Sequence, residues 1–234
     1  GEMAAKLQSL GAHAIELPLI SLVPPADPAP LYAAIARLET YDWLIFTSVH
    51  GVRFFLDRLD ASPHDFRRFR GRLCAIGPAT RRELEALHFK VDLTPEAFVA
   101  ESLAESFSKL DLRGKRILIP RAEAAREVLP ESLRKMSAEV EVVTAYRNVI
   151  PENAHARAEE IFEQQTKPHW ITFTSSSTVN NFLTVAGAGR LAGVRIASIG
   201  PVTSSTLREH GLSADAEAGQ FTSDGLIQAL LAAG

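Results

Sequence analysis

Cysteine is nearly absent from this chain. Of 234 residues only Cys74 carries a thiol, so no disulfide can close within the chain, and its place inside the apolar run LCAIG marks a buried, inert group. A cytoplasmic, reducing location is the expectation. No apolar run approaches the roughly 18 to 20 residues that span a bilayer, and the N-terminus has no charged-then-apolar leader, so no membrane partner is expected. Net charge is −3, with a pI of about 6.2, which leaves no broad cationic surface and sets nucleic acid aside as a partner. The seven histidines include no His-x-x-x-His pair and no carboxylate at ligand spacing, so no metal is expected. Walker loops, dinucleotide fingerprints and the GxSxG elbow are missing too, which leaves chemistry without a cofactor.

What the chain does contain is a repetition. WLIFTSVHGVRFFL at 43–56 returns as WITFTSSSTVNNFL at 170–183, with seven of fourteen positions identical. A second pair, LCAIGPATRRELEALHFKVD at 73–92 and IASIGPVTSSTLREHGLSAD at 196–215, shares Ile-Gly-Pro-x-Thr at the same relative place. At an offset of 126, AAKLQSLGAHAIELPLISLVPP matches PESLRKMSAEVEVVTAYRNVIP. The strand-like GKRILIPR at 114–121 has no counterpart before Gly1, so one strand of the first copy is expected to be missing.

Short runs rich in Ile, Val and Phe (WLIFT, RLCAIG, RILIP, VEVVTAY, WITFT, RIASIG) are bounded by Gly, Pro, Ser or Thr and read as buried strands. Helical patterns lie between them: EMAAKLQSL, LYAAIARLE, TRRELEAL, AREVLPESLRKM, ENAHARAEEIFEQQ and SDGLIQALLA. This alternation predicts α/β layers with parallel sheets. Pro130 interrupts AREVLPESLRKM, so a kink or a restart is expected there.

Each copy holds two strand-to-helix turns of small or hydroxylic residues: TSVHG and GPAT, then TSSS and GPVT. At the C-terminal ends of parallel strands such turns present backbone N–H groups and hydroxyl caps to an anion. Ser48, Thr80, Ser175, Ser176, Ser177 and Thr203, with the backbone at Gly77 and Gly200, are therefore candidate carboxylate sockets. Helix capping alone is the competing account. Arg121 ends the predicted strand RILIPR, where it either pairs a carboxylate bidentately or lies on a solvated loop.

Taken in order, PLISLVPP, DWLIFTSVHGVRFF, AIGPAT, ILIPRAEAARE, EVEVVTAYRNVIP, ITFTSSSTVNNF and SIGPVTSSTLREHGL resemble the uroporphyrinogen-III synthase family over nearly the whole chain. One departure is Arg121-Ala122-Glu123-Ala124-Ala125-Arg126, where that family often has Arg-Gly-x-x-x-Arg. The resemblance implies two flavodoxin-like α/β domains, residues 1–24 plus 152–234 and residues 25–151, joined by a two-stranded linker with the substrate in the cleft between them. A contiguous split near residue 111 is the alternative. It also implies a monomer acting on a small molecule, the linear tetrapyrrole hydroxymethylbilane with its eight carboxylates, closed to uroporphyrinogen III with inversion of ring D and loss of water. The resemblance further places a catalytic tyrosine at Tyr146. Its repeat partner is the apolar Ile20, and a phenol, protonated at neutral pH, can donate to a departing hydroxyl; packing of the linker is the rival role. A non-catalytic two-lobed binder of an anionic small molecule fits the same turns.

Overall fold

The computed structural model describes residues 1–95, 106–107, 110–163 and 167–234. Its chain divides into two compact units, Gly1–Ser21 with Val149–Gly234, and Leu22–Asn148. Helix α1 (Glu2–Ser9) opens the first unit, and strand β1 (Ser21–Val23) leads into the second. There follow α2 (Ala29–Ala36), β2 (Trp43–Phe46), α3 (Val49–Asp60), β3 (Arg72–Ala75), α4 (Pro78–Ala86), β4 (Arg116–Ala122), α5 (Val128–Lys135) and β5 (Glu139–Val149). The first unit is completed by α6 (Ala154–Phe162), β6 (Trp170–Phe173), α7 (Ser176–Ala186), β7 (Arg195–Ser198), α8 (Pro201–Glu209), β8 (Ala216–Glu217) and α9 (Ser223–Ala233). The α/β class read from the sequence is the one observed.

In the unit Leu22–Asn148 the sheet order is β1-β5-β4-β2-β3, and β2/β3, β2/β4 and β4/β5 all pair parallel. Alternation along each strand feeds two cores. Leu44, Phe46, Leu73, Leu118 and Val143 meet Ile35, Phe55 and Leu84 of α2, α3 and α4 on one face. Trp43, Ile45, Cys74, Ile117 and Ile119 meet Leu129 and Leu133 of α5 on the other. Helices on both faces explain why WLIF is apolar throughout rather than alternating, since all four residues are buried. Burial also pushes the Cys74 thiol pKa upward, with a further contribution from the nearby Asp92 charge.

In the other unit the sheet is β6-β7-β8, again parallel. Phe173, Ile196, Val179, Phe182 and Leu207 form one core, and Ala197, Ala218 and Leu226 the other. Among the described residues no strand corresponds to β4. Residues 12–20, the repeat counterpart of the first part of β5, therefore run without a ladder; they are tied instead by Asn181, whose Nδ2 donates to the Leu19 carbonyl at 2.8 Å. The same difference shows at Trp170, only half-buried on β6, where its repeat mate Trp43 is buried between β3 and β4.

Two aspartates carry the repeat into hydrogen bonding. Asp92 Oδ2 accepts from the Leu73 N–H at 2.8 Å, and Asp215 Oδ2 accepts from the Ile196 N–H at 2.7 Å, so each carboxylate seals the start of an equivalent strand. Pro130 neither kinks a helix nor breaks one. Helix α5 begins only at Val128, which puts the proline in the first turn, where its missing N–H had no intrahelical acceptor to lose. The predicted helix ENAHARAEEIFEQQ is present as Ala154–Phe162, and its final residues 164–165 lie outside the described residues.

Candidate functional site

Parallel strands end on one edge of a sheet, and the four hydroxylic turns lie at such edges, two in each unit. Ser48 caps α3, its Oγ accepting from the Gly51 N–H at 3.0 Å. Ser175 caps α7 through a capping box: its Oγ accepts from the Thr178 N–H at 3.2 Å, and Thr178 Oγ1 accepts from the Ser175 N–H at 3.2 Å. Helices α4 and α8 start instead with Gly-Pro, proline at N1. Capping satisfies only part of each helix start. The N–H groups of Val49 and His50, Ala79 and Thr80, Ser176 and Ser177, and Val202 and Thr203 have no acceptor among the described residues. Each turn thus presents a pair of unsatisfied donors at the positive end of a helix dipole, the arrangement that suits a carboxylate.

Thr80 and Thr203 occupy the same place in the first turns of α4 and α8. They are 4% and 3% exposed, and neither hydroxyl has a partner among the described residues. Neither hydroxyl is among the buried unpaired side-chain atoms of the described residues, so each stays open to a ligand beside the free amides. Ser176 is differently employed. Its Oγ accepts from Thr206 Oγ1 at 2.7 Å and reaches the Val202 carbonyl at 3.4 Å, linking the starts of α7 and α8. Ser177 is exposed, with no side-chain partner among the described residues.

The two glycines, alike in sequence, differ in structure. Gly77 has φ of 82°, a left-handed conformation that favours glycine, and its N–H has no acceptor among the described residues. The Gly200 N–H is instead directed to Ser198 Oγ at 3.3 Å, and that hydroxyl donates back to the Gly200 carbonyl at 2.9 Å. The position matching Ser198 in the other copy is Ala75, which has no hydroxyl to offer. The socket expected at the Gly200 backbone is therefore internally satisfied, and the donors of that turn are Val202 and Thr203.

Arg121, expected to reach a carboxylate ligand or to lie on a solvated loop, is 7% exposed within β4. Its guanidinium donates to the Arg126 carbonyl at 2.6 Å and is paired with Glu127. Burial, with the nearby charge of Arg134, holds its pKa below the usual arginine value. Ala122 is the last residue of β4, and the segment after it folds back so that Arg126 and Glu127 hold this arginine.

Tyr146 lies on β5 just after a register shift: Arg121 pairs with Thr144, but Ala122 pairs with Tyr146. Such a bulge re-aims the side chain that follows it. The ring stacks on Phe54 at 5.4 Å and 22°, and meets His50 edge-on at 6.0 Å. The phenol is 3.1 Å from Ser48 Oγ, so the capping serine of one turn and the tyrosine of another strand form one hydroxyl pair. Tyr146 is 7% exposed. Neither the contact between Ser48 and Tyr146 nor the packing of Phe54 and His50 on the tyrosine is legible in the sequence. Only the offset between TSVHGVRFF and TSSSTVNNF, where His50 faces Ser177 and Phe54 faces Asn181, hinted that this turn is specialised.

No group of His, Cys, Asp and Glu capable of holding a metal ion occurs among the described residues, and none of their helices is long and apolar enough to cross a membrane. A cavity of about 510 Å³, lined by residues such as Gln8, His13, Glu16 and Arg157, contains none of the turns described above.

Residues 1–228 match the family model described as uroporphyrinogen-III synthase HemD. Over 235 residues, 97% of this chain and 88% of the relative, the chain is 37% identical to the uroporphyrinogen-III synthase of Synechococcus elongatus. Its fold is similar to that of a mutant uroporphyrinogen III synthase from Thermus thermophilus, with a TM-score of 0.66, 16% identity and coverage of 99% and 93% of the two chains. It is likewise similar to the uroporphyrinogen-III synthetase of Helicobacter pylori, with a TM-score of 0.66, 21% identity and coverage of 92% and 90%.

Proposed function

The chain belongs to the uroporphyrinogen-III synthase family, and from that premise we propose that it closes hydroxymethylbilane to uroporphyrinogen III. The observation that carries the proposal is the set of paired, unsatisfied amides at the starts of α3, α4, α7 and α8. A substrate with many carboxylates needs many donors, and helix starts supply them without a field of lysines. Thr80, Thr203 and Ser177 add hydroxyls that have no competing partner among the described residues. Ser48, Ser175 and Ser176 hold the turns in shape.

The chemistry follows from the pyrroles. The terminal hydroxymethyl C–O bond breaks, oxygen takes the bonding pair and leaves with a proton as water, and the pyrrole nitrogen lone pair stabilises the resulting azafulvenium. The substituted carbon of ring D attacks it; the spiro intermediate fragments, recloses with the ring inverted, and loses a proton. The required protein contribution is positioning, since an unoriented chain closes without inversion. In this reading the Tyr146 phenol donates to the departing hydroxyl while Ser48 Oγ, fixed by the Gly51 N–H, donates to the phenol oxygen. The enzyme acts as a monomer in the reducing cytosol, with Cys74 a free buried thiol and no resident cofactor. Incubation with fresh hydroxymethylbilane, followed by oxidation and chromatographic separation of the porphyrins, tests the assignment. Predominantly type III product is expected, and type I alone, as in a protein-free blank, would refute it.

A further inference from the structure

Phe221, in the turn between β8 and α9, is 66% exposed, and its ring lies close against Gly200. Its Cδ1 lies 2.7 Å from where a Cβ on Gly200 would stand, and its Cε1 and Cγ lie at 3.2 Å. A Cβ at Gly200 would push the ring aside; φ at Gly200 is 165°, ordinary extended backbone, so it is close approach and not conformation that glycine permits here. Two residues after Gly200, Val202, 74% exposed, stands on the first turn of α8. Two apolar side chains therefore form a small exposed shelf at the entrance to this helix.

Polar groups border the shelf. The Val202 and Thr203 amides lack acceptors among the described residues, and so does the hydroxyl of Thr203, although that residue is 3% exposed. A ligand that satisfies both features has a flat apolar ring with an anionic oxygen one or two carbons from its edge. A pyrrole bearing acetate or propionate has this form. The repeat offset of 123 that matches Gly77 with Gly200 also matches Phe98 with Phe221, so both copies carry phenylalanine at this place in the sequence.

We propose that Phe221 stacks on one pyrrole ring of the linear tetrapyrrole while the start of α8 takes a carboxylate of the same ring. This rests on the synthase reading, and it adds a ring-recognition element to what is otherwise a set of carboxylate sockets. Offset or edge-on aromatic contact is the geometry such a shelf permits.

The test compares wild type with Phe221→Ala and Phe221→Tyr in the isomer-resolved assay. The alanine variant is expected to raise KM about threefold to tenfold, with kcat and Tm close to wild type because the ring is exposed; the tyrosine variant restores KM. Gly200→Ala, whose Cβ would displace the ring, is expected to raise KM as the alanine variant does. An alanine variant with KM within twofold of wild type overturns the proposal, as does a KM rise matched by a fall in Tm and not rescued by tyrosine. Wild-type protein that yields type I product alone would sink the synthase reading itself and this proposal with it.

Discussion

Removing the Ser48 hydroxyl removes two interactions at once, and the geometry sets what each is worth. As the cap of α3, Ser48 Oγ accepts from Gly51 N–H at 3.0 Å, and loss of such a cap costs about 1 kcal/mol. As the partner of Tyr146 at 3.1 Å it contributes about 1 kcal/mol more, because a phenol only 7% exposed cannot fully recover its hydrogen bond from water. Ser48→Ala should therefore destabilise by about 2 kcal/mol, or roughly 4–8 °C in Tm for a chain of this size. Tyr146→Phe deletes only the shared bond and should cost about 1 kcal/mol. The double variant should cost about 2 kcal/mol and not the additive sum of about 3, a coupling of about 1 kcal/mol. Denaturant titrations of the four proteins measure the cycle. Additivity would show that the hydroxyl pair does not exist in solution and would remove the geometric support for a role in the chemistry. Turnover is the second readout: Tyr146→Phe should lower kcat about 10-fold or more with KM little changed, as expected of a donor used in water loss. Wild-type kcat in a folded Tyr146→Phe protein would refute that role and leave the tyrosine as packing for Phe54 and His50.

Thr80→Val and Thr203→Val should each raise KM about twofold to tenfold while leaving Tm unchanged, since neither hydroxyl has a partner to lose among the described residues; a fall in Tm with unchanged KM would make both residues structural. Arg121→Gln should lower stability by about 1–2 kcal/mol, less than for a pair buried on both sides because the freed Glu127, whose side chain is 52% exposed, can rehydrate. The salt dependence of KM should be unaltered by that change, and a weakened dependence would return Arg121 to the substrate. Tyr41 is buried and donates to Glu141 Oε2 at 2.6 Å; burial, and then the neighbouring carboxylate, raise its pKa. The folded protein holds this proton more tightly than the unfolded chain, so its stabilising effect is whole below the ordinary tyrosine value of 10.0 and is lost as pH climbs above it. Tm should fall above pH 10 less steeply in Tyr41→Phe than in wild type, and parallel curves would contradict the assignment. Cys74 should resist a thiol-specific reagent until denaturant is added, because burial disfavours the thiolate that reacts; rapid modification of the native protein would show that its core opens.

The α/β class, the repeat and the places of the four turns were legible in the sequence because each depends on local pattern. Runs such as WLIF and RILIP declare strands covered on both faces, and Ser-Ser or Gly-Pro after a strand declares a helix start. Local pattern could not settle how each polar group is used, since that depends on partners far along the chain. Ser48 and Tyr146 are 98 residues apart and meet at 3.1 Å because a bulge between β4 and β5 re-aims the tyrosine. Gly77 and Gly200 are the same letter in the same motif, but Ser198 occupies the amide of one, while Ala75 leaves the other without an acceptor among the described residues. Arg121 reads as a free cation until the chain folds Glu127 back onto it, and residues 12–20 match part of β5 in sequence yet run without a ladder for want of a neighbouring strand among the described residues. The sequence by itself determined which residues begin helices and which faces of strands are apolar, since these depend on covalent order and side-chain period. Tertiary structure alone decided which donors remain unpaired, because a hydrogen bond is satisfied or not by what the fold brings within 3 Å or so of it.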